Sequence, residues 1–354
     1  MYPATHGAEG ADSEGADVTD RITMADVAKA AGVSRATVSL ALSGNETRIS
    51  EETAERVRAA AAELGYVLNP SARTLRTGSS RTIGFISDQV TLTRFASEMV
   101  RGILDRAEER GYVVMMFETG LRRNACARAL STLSAHRVDG VIAGLMDSRE
   151  IRLPPNIGKL CAVVVNGTSA GRPAILPDED RAGRSAIARL LEAGHRRIGL
   201  VGRPAPTLSP HSVNIGVRMS ALDSALASAG LAFADEVVCD RWEPEEGYLG
   251  TLALLQRSPD ITAIVTANDR IAFGAYGAAA QLERPIAQDL SIISFDDEQI
   301  ARLFHPGLTT LRIPYDLMGR AGVDALLDGA PSDTVIRIPM PIIERGSIGP
   351  VRAG

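Results

Sequence analysis

Two groups of residues carry types and spacings that suit chemistry. The first lies in residues 22–42, ITMADVAKAAGVSRATVSLAL. There Ser34, Arg35, Ala36, Thr37, Ser39 and Leu40 fall within seven positions. An arginine offers two parallel N–H donors that fit a guanine edge, and a leucine offers an apolar surface for a thymine methyl. The second group closes apolar runs farther along: Asn166 after CAVVV, Asn268 near the end of TAIVTA, and Asp296 after LSIISF. Such residues often cap the next helix, and Asn268 with Asp269 could do so before Ile271. In open α/β sheets, however, ligands bind beyond the carboxyl ends of the strands, where these three would stand.

Catalytic constellations are harder to find. The five histidines (His6, His136, His195, His211 and His305) show no metal spacing. There is no GxGxxG after the first apolar run, no GxxxxGK[ST] and no GxSxG. Asp296-Asp297 could suggest a metal site, but adjacent acids in a loop are more often solvated. Cys126, Cys161 and Cys239 are scattered, with no CxxC, which suits a reducing compartment better than a disulfide framework. The expectation is therefore a binding protein with no catalytic group, no cofactor and no metal.

The elements that must position these residues follow from pattern. Residues 23–65 read as three short helices. Thr23 caps the first with Asp26 three positions on, Ser34 caps the second, and Ser50 caps the third ahead of Glu51 and Glu52. Val27, Val38 and Leu42 face inward between the first two, and Ala54, Val57, Ala61 and Leu64 supply the inner face of the third. Arg35, Ala36, Ser39 and Leu40 are left facing outward. Residues 69–78 have Asn and Pro at one end and Gly at the other, the boundary set of a helix about two turns long. Alone in water such a helix is marginal, because nucleation is costly.

From residue 82 onward, β-rich runs alternate with helical stretches. The runs are 82–87, 113–117, 140–144, 161–165, 198–201, 262–266 and 290–294; the helices include 95–110, 180–193, 217–229 and 271–282. That alternation means βαβ units and parallel sheets. So long a region suits two lobes better than one sheet. The expected division is an acidic tail at 1–20, a three-helix head at 21–68, a linker helix at 69–81, a body at 82–346 and a tail at 347–354. Within the body, one lobe takes about 82–166 and 312–336, the other about 167–311 and 337–346.

Bulk properties permit this arrangement. The chain has 354 residues, 45% hydrophobic and 23% charged, with a formal net charge of −5. Yet residues 21–81 hold more basic than acidic side chains, so a basic head sits on an acidic body. The first twenty residues are acidic and lack the basic start and apolar stretch of a secretory signal. No apolar run approaches the length of a bilayer span. These features suggest a cytoplasmic protein that stays off the membrane.

The words T-M-A-D-V-A-K-A-A-G-V-S-x-A-T-V-S at 23–39, S-E-E-T-x-x-x-V at 50–57, E-L-G-Y-x-x-N-P-x-A-R-x-L at 63–75 and T-I-G at 82–84 follow one another in order. They continue as G-H-R-R-I-G-L-V-G at 194–202, T-A-N-D at 266–269 and S-F-D-D at 294–297. This series resembles the lactose-repressor/galactose-repressor family of transcription regulators over nearly the whole chain. The resemblance implies a helix-turn-helix head, a hinge helix and a two-lobed body of the periplasmic-binding-protein type. It implies a homodimer on near-palindromic double-stranded operator DNA. By position, Arg35, Ala36 and Leu40 would read bases, and Ser34, Thr37 and Ser39 would face phosphates. Thr23, Asn69 and Ala72 would join the DNA-contacting set, and Leu75 would wedge into the central minor groove.

For the body, the resemblance implies an effector cleft lined by Asn166, Asn268 and Asp296. Arg218 matches the family's arginine, with a surface salt bridge as its ordinary alternative. Trp242, the only Trp, stands where members offer a ring to a ligand, with core packing as its alternative. Phe95 with Arg94 beside it would do likewise from the first lobe. A stacking face with hydroxyl-binding groups favours a sugar-like effector. The chain departs from the pattern at Asn166, where several members carry Asp, and at Leu40, where many carry a polar base reader. The expected mechanism is a two-state switch in which effector binding changes lobe closure and strains the weak hinge helices. A sugar-binding transport protein, or an enzyme on the same two-lobed body, is the alternative reading.

Overall fold

The computed structural model describes residues 22–42, 49–66, 78–91, 93, 96–120, 122, 124–158, 160–206 and 212–351. The chain divides into two units, Met1–Ser80 and Arg81–Gly354. The expected tail at 1–20 and the hinge residues Asn69, Ala72 and Leu75 lie outside the described residues, as do Arg94 and Phe95.

The head unit holds α1 (Met24–Ala31), α2 (Arg35–Leu42) and α3 (Glu51–Glu63). Its starts are capped as the sequence suggests. The Thr23 N–H and hydroxyl both donate to the Asp26 carboxylate, at 2.8 and 2.7 Å. Ser34 Oγ accepts from the Thr37 N–H at 3.1 Å, and Ser50 Oγ accepts from Thr53 at 3.3 Å. Gly32 ends α1 in the left-handed region (φ 65°), which a side chain would resist. The core between the three helices is Val27, Ala28, Ala31, Val38, Ala41, Ala54, Val57, Ala60 and Ala61. Most of these are alanines, so the helices approach closely. Arg56 adds a tie that pattern does not reveal, donating from Nε to the Ala31 carbonyl at 3.1 Å.

The body unit has two sheets. Its elements are β1 (Thr82–Ser87), α4 (Ala96–Glu109), β2 (Val113–Glu118), α5 (Ala125–Ala135), β3 (Gly140–Glu150), β4 (Ala162–Thr168) and β5 (Ala174–Pro177). Then come α6 (Glu179–Glu192), β6 (Ile198–Pro204), α7 (Ile215–Ser228), β7 (Asp235–Cys239), α8 (Pro244–Arg257), β8 (Ala263–Thr266), α9 (Asp269–Gln281) and β9 (Ser291–Asp296). The chain closes with β10 (Thr309–Arg312), α10 (Tyr315–Leu327), β11 (Val335–Ile338) and β12 (Ile342–Ile343). The first sheet has the order β11-β5-β4-β3-β1-β2, and the second β12-β10-β9-β8-β6-β7. Every pairing is parallel except β10 with β12. Strands buried on both faces read as unbroken apolar runs, which is why β1, β4 and β8 stand out in the sequence.

The chain passes between lobes after β5, after β10 and after β11. This moves the expected boundaries. β5 belongs to the first sheet, so the first lobe extends to Pro177, not to 166. β11 pairs with β5 through Ile338, beyond the expected 336. Residues from 347 are not a tail. Ser347 is fully buried, its carbonyl accepts from the Ile292 N–H, its hydroxyl donates to the Ile292 carbonyl, and it accepts from Thr309. The final segment thus satisfies the backbone of β9 that would otherwise be orphaned.

Each lobe brings two helices into close contact through glycines. A Cβ at Gly102 in α4 would sit 2.0 Å from the Asp316 carbonyl oxygen, and one at Gly319 in α10 would sit 2.5 Å from that of Met99. In the second lobe, Gly247 in α8 and Gly274 in α9 face backbone at 2.2 and 2.0 Å in the same way. Each pair of helices packs nearly backbone to backbone.

Candidate DNA-reading face and ligand cleft

On α2 the wheel sets Val38 and Ala41 inward and buries both. Ala36 and Leu40, one turn apart, share the opposite line. Arg35 and Ala36 are exposed, while Thr37, Ser39 and Leu40 are half-buried. Leu40 is thus less open than an outward leucine was expected to be. Thr37 shares its hydroxyl with Ser34 Oγ at 2.9 Å, so both hydroxyls stand together at the start of α2. Anions are favoured there, since the first N–H groups of a helix lack partners. Lys29 on α1 and Arg35 supply positive charge on the exposed surface. A short exposed helix with one arginine, small neighbours and an anion-friendly N-terminus suits a nucleic-acid groove.

In the body, the carboxyl edge of the second sheet gathers a buried charge cluster around Arg218. This residue lies on α7 and is 3% exposed. Its Nε and Nη2 donate to the two oxygens of Glu179 at 2.7 and 2.8 Å. Its Nη1 donates to the Ala267 carbonyl at 2.7 Å, and its guanidinium lies over the Phe295 ring at 4.3 Å. Asp296 Oδ1 is 3.9 Å from Nη2. Burial works against the Arg218 charge, but Glu179 and then Asp296 more than offset it and raise its pKa. Burial pushes the Asp296 carboxyl up to about 7; Arg218 opposes this, and Glu298 and Glu179 add to it. The bidentate pair is therefore a buried one, not the surface salt bridge that stood as the alternative.

The neighbouring acids are also buried. Asp269 accepts from the Glu298 N–H at 2.7 Å and from the Thr310 hydroxyl at 2.8 Å, and its carboxyl is raised well above the usual range, mainly by burial. Asp297 pairs with Arg345 at 2.6 Å. The Asp296-Asp297 pair is accordingly not a solvated loop pair: one member is ion-paired and the other leans toward Arg218 beneath the strand end.

Asn268 caps α9, accepting from the Ile271 N–H at 2.9 Å, and donates to the Trp242 carbonyl at 3.3 Å. Trp242 is half-buried against the core, and its indole N–H is buried with no hydrogen-bond partner. Asn166 sits at φ 59° and is 3% exposed. Its Nδ2 donates to the Leu145 carbonyl at 2.9 Å, and its Oδ1 accepts from Asn214 Nδ2 at 3.2 Å. That last bond joins β4 of the first lobe to the residue before α7 of the second. Glu179 and Asn214 are central to this arrangement and were not singled out from sequence, and Asp269 was named only as a possible cap of the next helix. Glu179 stands in an acidic run, PDED, at the start of α6.

A three-helix head with a short exposed helix, and a two-lobed body with polar residues gathered at its strand ends, define a ligand-responsive DNA-binding regulator. The profile described as bacterial regulatory proteins, lacI family, matches residues 23–69, and the periplasmic binding protein-like domain matches residues 187–348. The ribose operon repressor of Haemophilus influenzae is 32% identical over 314 residues, covering 86% of this chain and 91% of its own. The sucrose operon repressor of Escherichia coli is 30% identical over 335 residues, covering 92% and 99%. The lac repressor dimer bound to operator and the anti-inducer ONPF superposes with a TM-score of 0.71 at 26% identity, covering 93% and 99%. The chain belongs to the lacI family of bacterial regulatory proteins. Among the described residues, no helix is long and apolar enough to cross a membrane.

Proposed function

We propose that this chain is a repressor that grips a near-palindromic operator as a homodimer and is controlled by a small sugar-like effector held between the lobes. The observation that carries the reading is the cluster of Arg218, Glu179 and Asp296 at the strand ends, together with Trp242, whose indole N–H has no partner. It offers a fixed cation, a carboxyl raised to about 7 and a half-buried indole ring whose N–H has no partner. Sugars suit such a set, because their hydroxyls both donate and accept while their C–H faces stack on rings. The relatives named as ribose and sucrose operon repressors support the sugar class.

In this reading Arg35, Ala36 and Leu40 meet base edges, and Thr23, Ser34, Thr37 and Ser39 meet phosphates. Asn69, Ala72 and Leu75 act at the hinge. Asn166, Arg218, Trp242, Asn268 and Asp296, with Arg94 and Phe95, form the effector site. The chain acts by binding, not by catalysis, and works in the cytoplasm where its operator lies. Exposed apolar side chains at Leu104 and Leu317 on the packed helices α4 and α10, and at Phe273 and Leu303 in the second lobe, support self-association. Solved relatives include a dimer on its operator.

A thermal-shift screen of sugars and nucleobases against the full chain, followed by gel shifts with its upstream DNA, tests this. One sugar should raise the melting point and change operator affinity at the same concentrations. If only a nucleobase does both, the sugar class is wrong. If no ligand that binds the body alters operator affinity, the switch is wrong.

A further inference from the structure

The first lobe contains a second cavity that the effector reading does not use. It has a volume of about 300 Å³, at the lower end of the range for small-molecule sites. It opens at the carboxyl ends of β1 and β3 and at the start of α5. Leu145, Ile151 and Leu153 give it an apolar wall. Arg122 and Arg152 stand at its rim, both exposed. Arg122 reaches only the carbonyls of Thr119 and Glu118, each at 3.4 Å, so its charge has no carboxylate among the described residues. Arg149 and Asp88, by contrast, form a 2.7 Å ion pair inside the site, and Asp88 also accepts from the Met146 N–H at 3.3 Å.

Two further observations point to a ligand. Ser87 lines the cavity and is 1% exposed, yet its hydroxyl is buried with no hydrogen-bond partner. Polar groups in such a position cost free energy unless something meets them. The N-terminus of α5 also opens here, and the side chain of its cap residue, Asn124, makes no capping bond. Two guanidinium groups with no carboxylate partner among the described residues and an unmet hydroxyl favour an oxyanion.

We propose that this cavity is a second, independent site for a small metabolite bearing a phosphoryl or carboxylate group, its oxyanion between Arg122 and Arg152 and its carbon skeleton against Leu145 and Leu153. It does not depend on what occupies the cleft between the lobes. The two sites share one wall, because the Leu145 carbonyl that faces Asn166 belongs to a residue lining this cavity.

Cys126 gives a local readout, since its half-buried thiol also lines the cavity. Alkylation of Cys126 would be followed by peptide mass spectrometry in the full chain carrying Cys161→Ser. The probes are glucose 6-phosphate, gluconate and uncharged glucose at matched ionic strength. At least one anionic probe should slow Cys126 alkylation several-fold, while glucose leaves it unchanged; the phosphate ester and the carboxylate arms decide which oxyanion is preferred. Arg122→Ala/Arg152→Ala should weaken that protection by roughly tenfold, the loss expected for charge-assisted hydrogen bonds. Trp242→Ala, in the cleft between the lobes, should retain it. No protection by either anion overturns the proposal. So does protection that survives the double arginine change or is lost with Trp242→Ala, which would place the anion in the cleft instead.

Discussion

Asn166 Oδ1 accepts from Asn214 Nδ2 at 3.2 Å, and this one bond links the last long strand of the first lobe to the start of α7 in the second. The other end of the Asn166 amide donates to the Leu145 carbonyl. A carboxylate could still accept from Asn214, but it could not donate to Leu145. The amide at this position therefore has a physical reason.

Asn166→Asp should accordingly lower stability by about 1–3 kcal/mol, the cost of setting a buried acceptor against another without its hydrogen bond. Urea unfolding of the full chain measures this. An unchanged midpoint would mean that the Leu145 contact contributes nothing.

Asp296 makes stability depend on pH in a definite direction. Its carboxyl is pushed up to about 7 from an ordinary value of 3.8. The folded state therefore holds the proton more tightly than the unfolded chain does between those values. Its contribution to stability is full below the lower value and is lost as pH climbs toward 7. Asp296→Asn keeps the shape without the titration. The variant should gain on the wild type as pH rises from about 5 to about 8, and the difference should then level off. A difference that stays constant across that range would show that Asp296 ionises normally. The same variant should lose the response to effector while it still binds operator.

The helices of the head were legible because each carries its own boundary chemistry: Thr23, Ser34 and Ser50 before them, Gly32 and Gly65 after. The apolar strands β1, β4 and β8 were legible for the same local reason. What escaped was set by distant partners. β5 is four residues long and ends in Pro177, so nothing marks it until it is paired. β10 begins with Thr309 and Thr310, polar residues that are fully buried because Arg345 and Asp269 use their hydroxyls. The site divides along the same line. Asn166, Arg218 and Asp296 were singled out by position and resemblance, whereas Glu179, 39 residues from its partner, becomes visible only once α6 and α7 pack together.

Glu179 provides the next test. It meets Arg218 through both oxygens, and both side chains are almost wholly buried. Removing one charge of such a pair leaves the other unpaired in a poor solvent, which costs about 3–5 kcal/mol. Glu179→Gln should approach that loss in thermal or urea unfolding. Effector affinity should fall with it, because the guanidinium is no longer held in place over Phe295. If stability drops but effector affinity does not, Glu179 serves the fold alone.

Arg35 is the sharpest test of the head. It opens α2, is exposed, and shares that helix's start with the paired hydroxyls of Ser34 and Thr37. A guanidinium aimed at a base edge distinguishes one base pair, whereas one resting on a phosphate does not. Arg35→Ala should therefore relax preference at a single base pair in each half-site by about 1–3 kcal/mol and leave binding to random DNA nearly unchanged. Gel shifts on operators substituted one pair at a time would read this directly. A uniform loss across all sequences, with a shallower dependence on salt, would instead assign Arg35 to the phosphate backbone. Base reading would then fall to Ala36 and Leu40, which share a line on the outward side of α2.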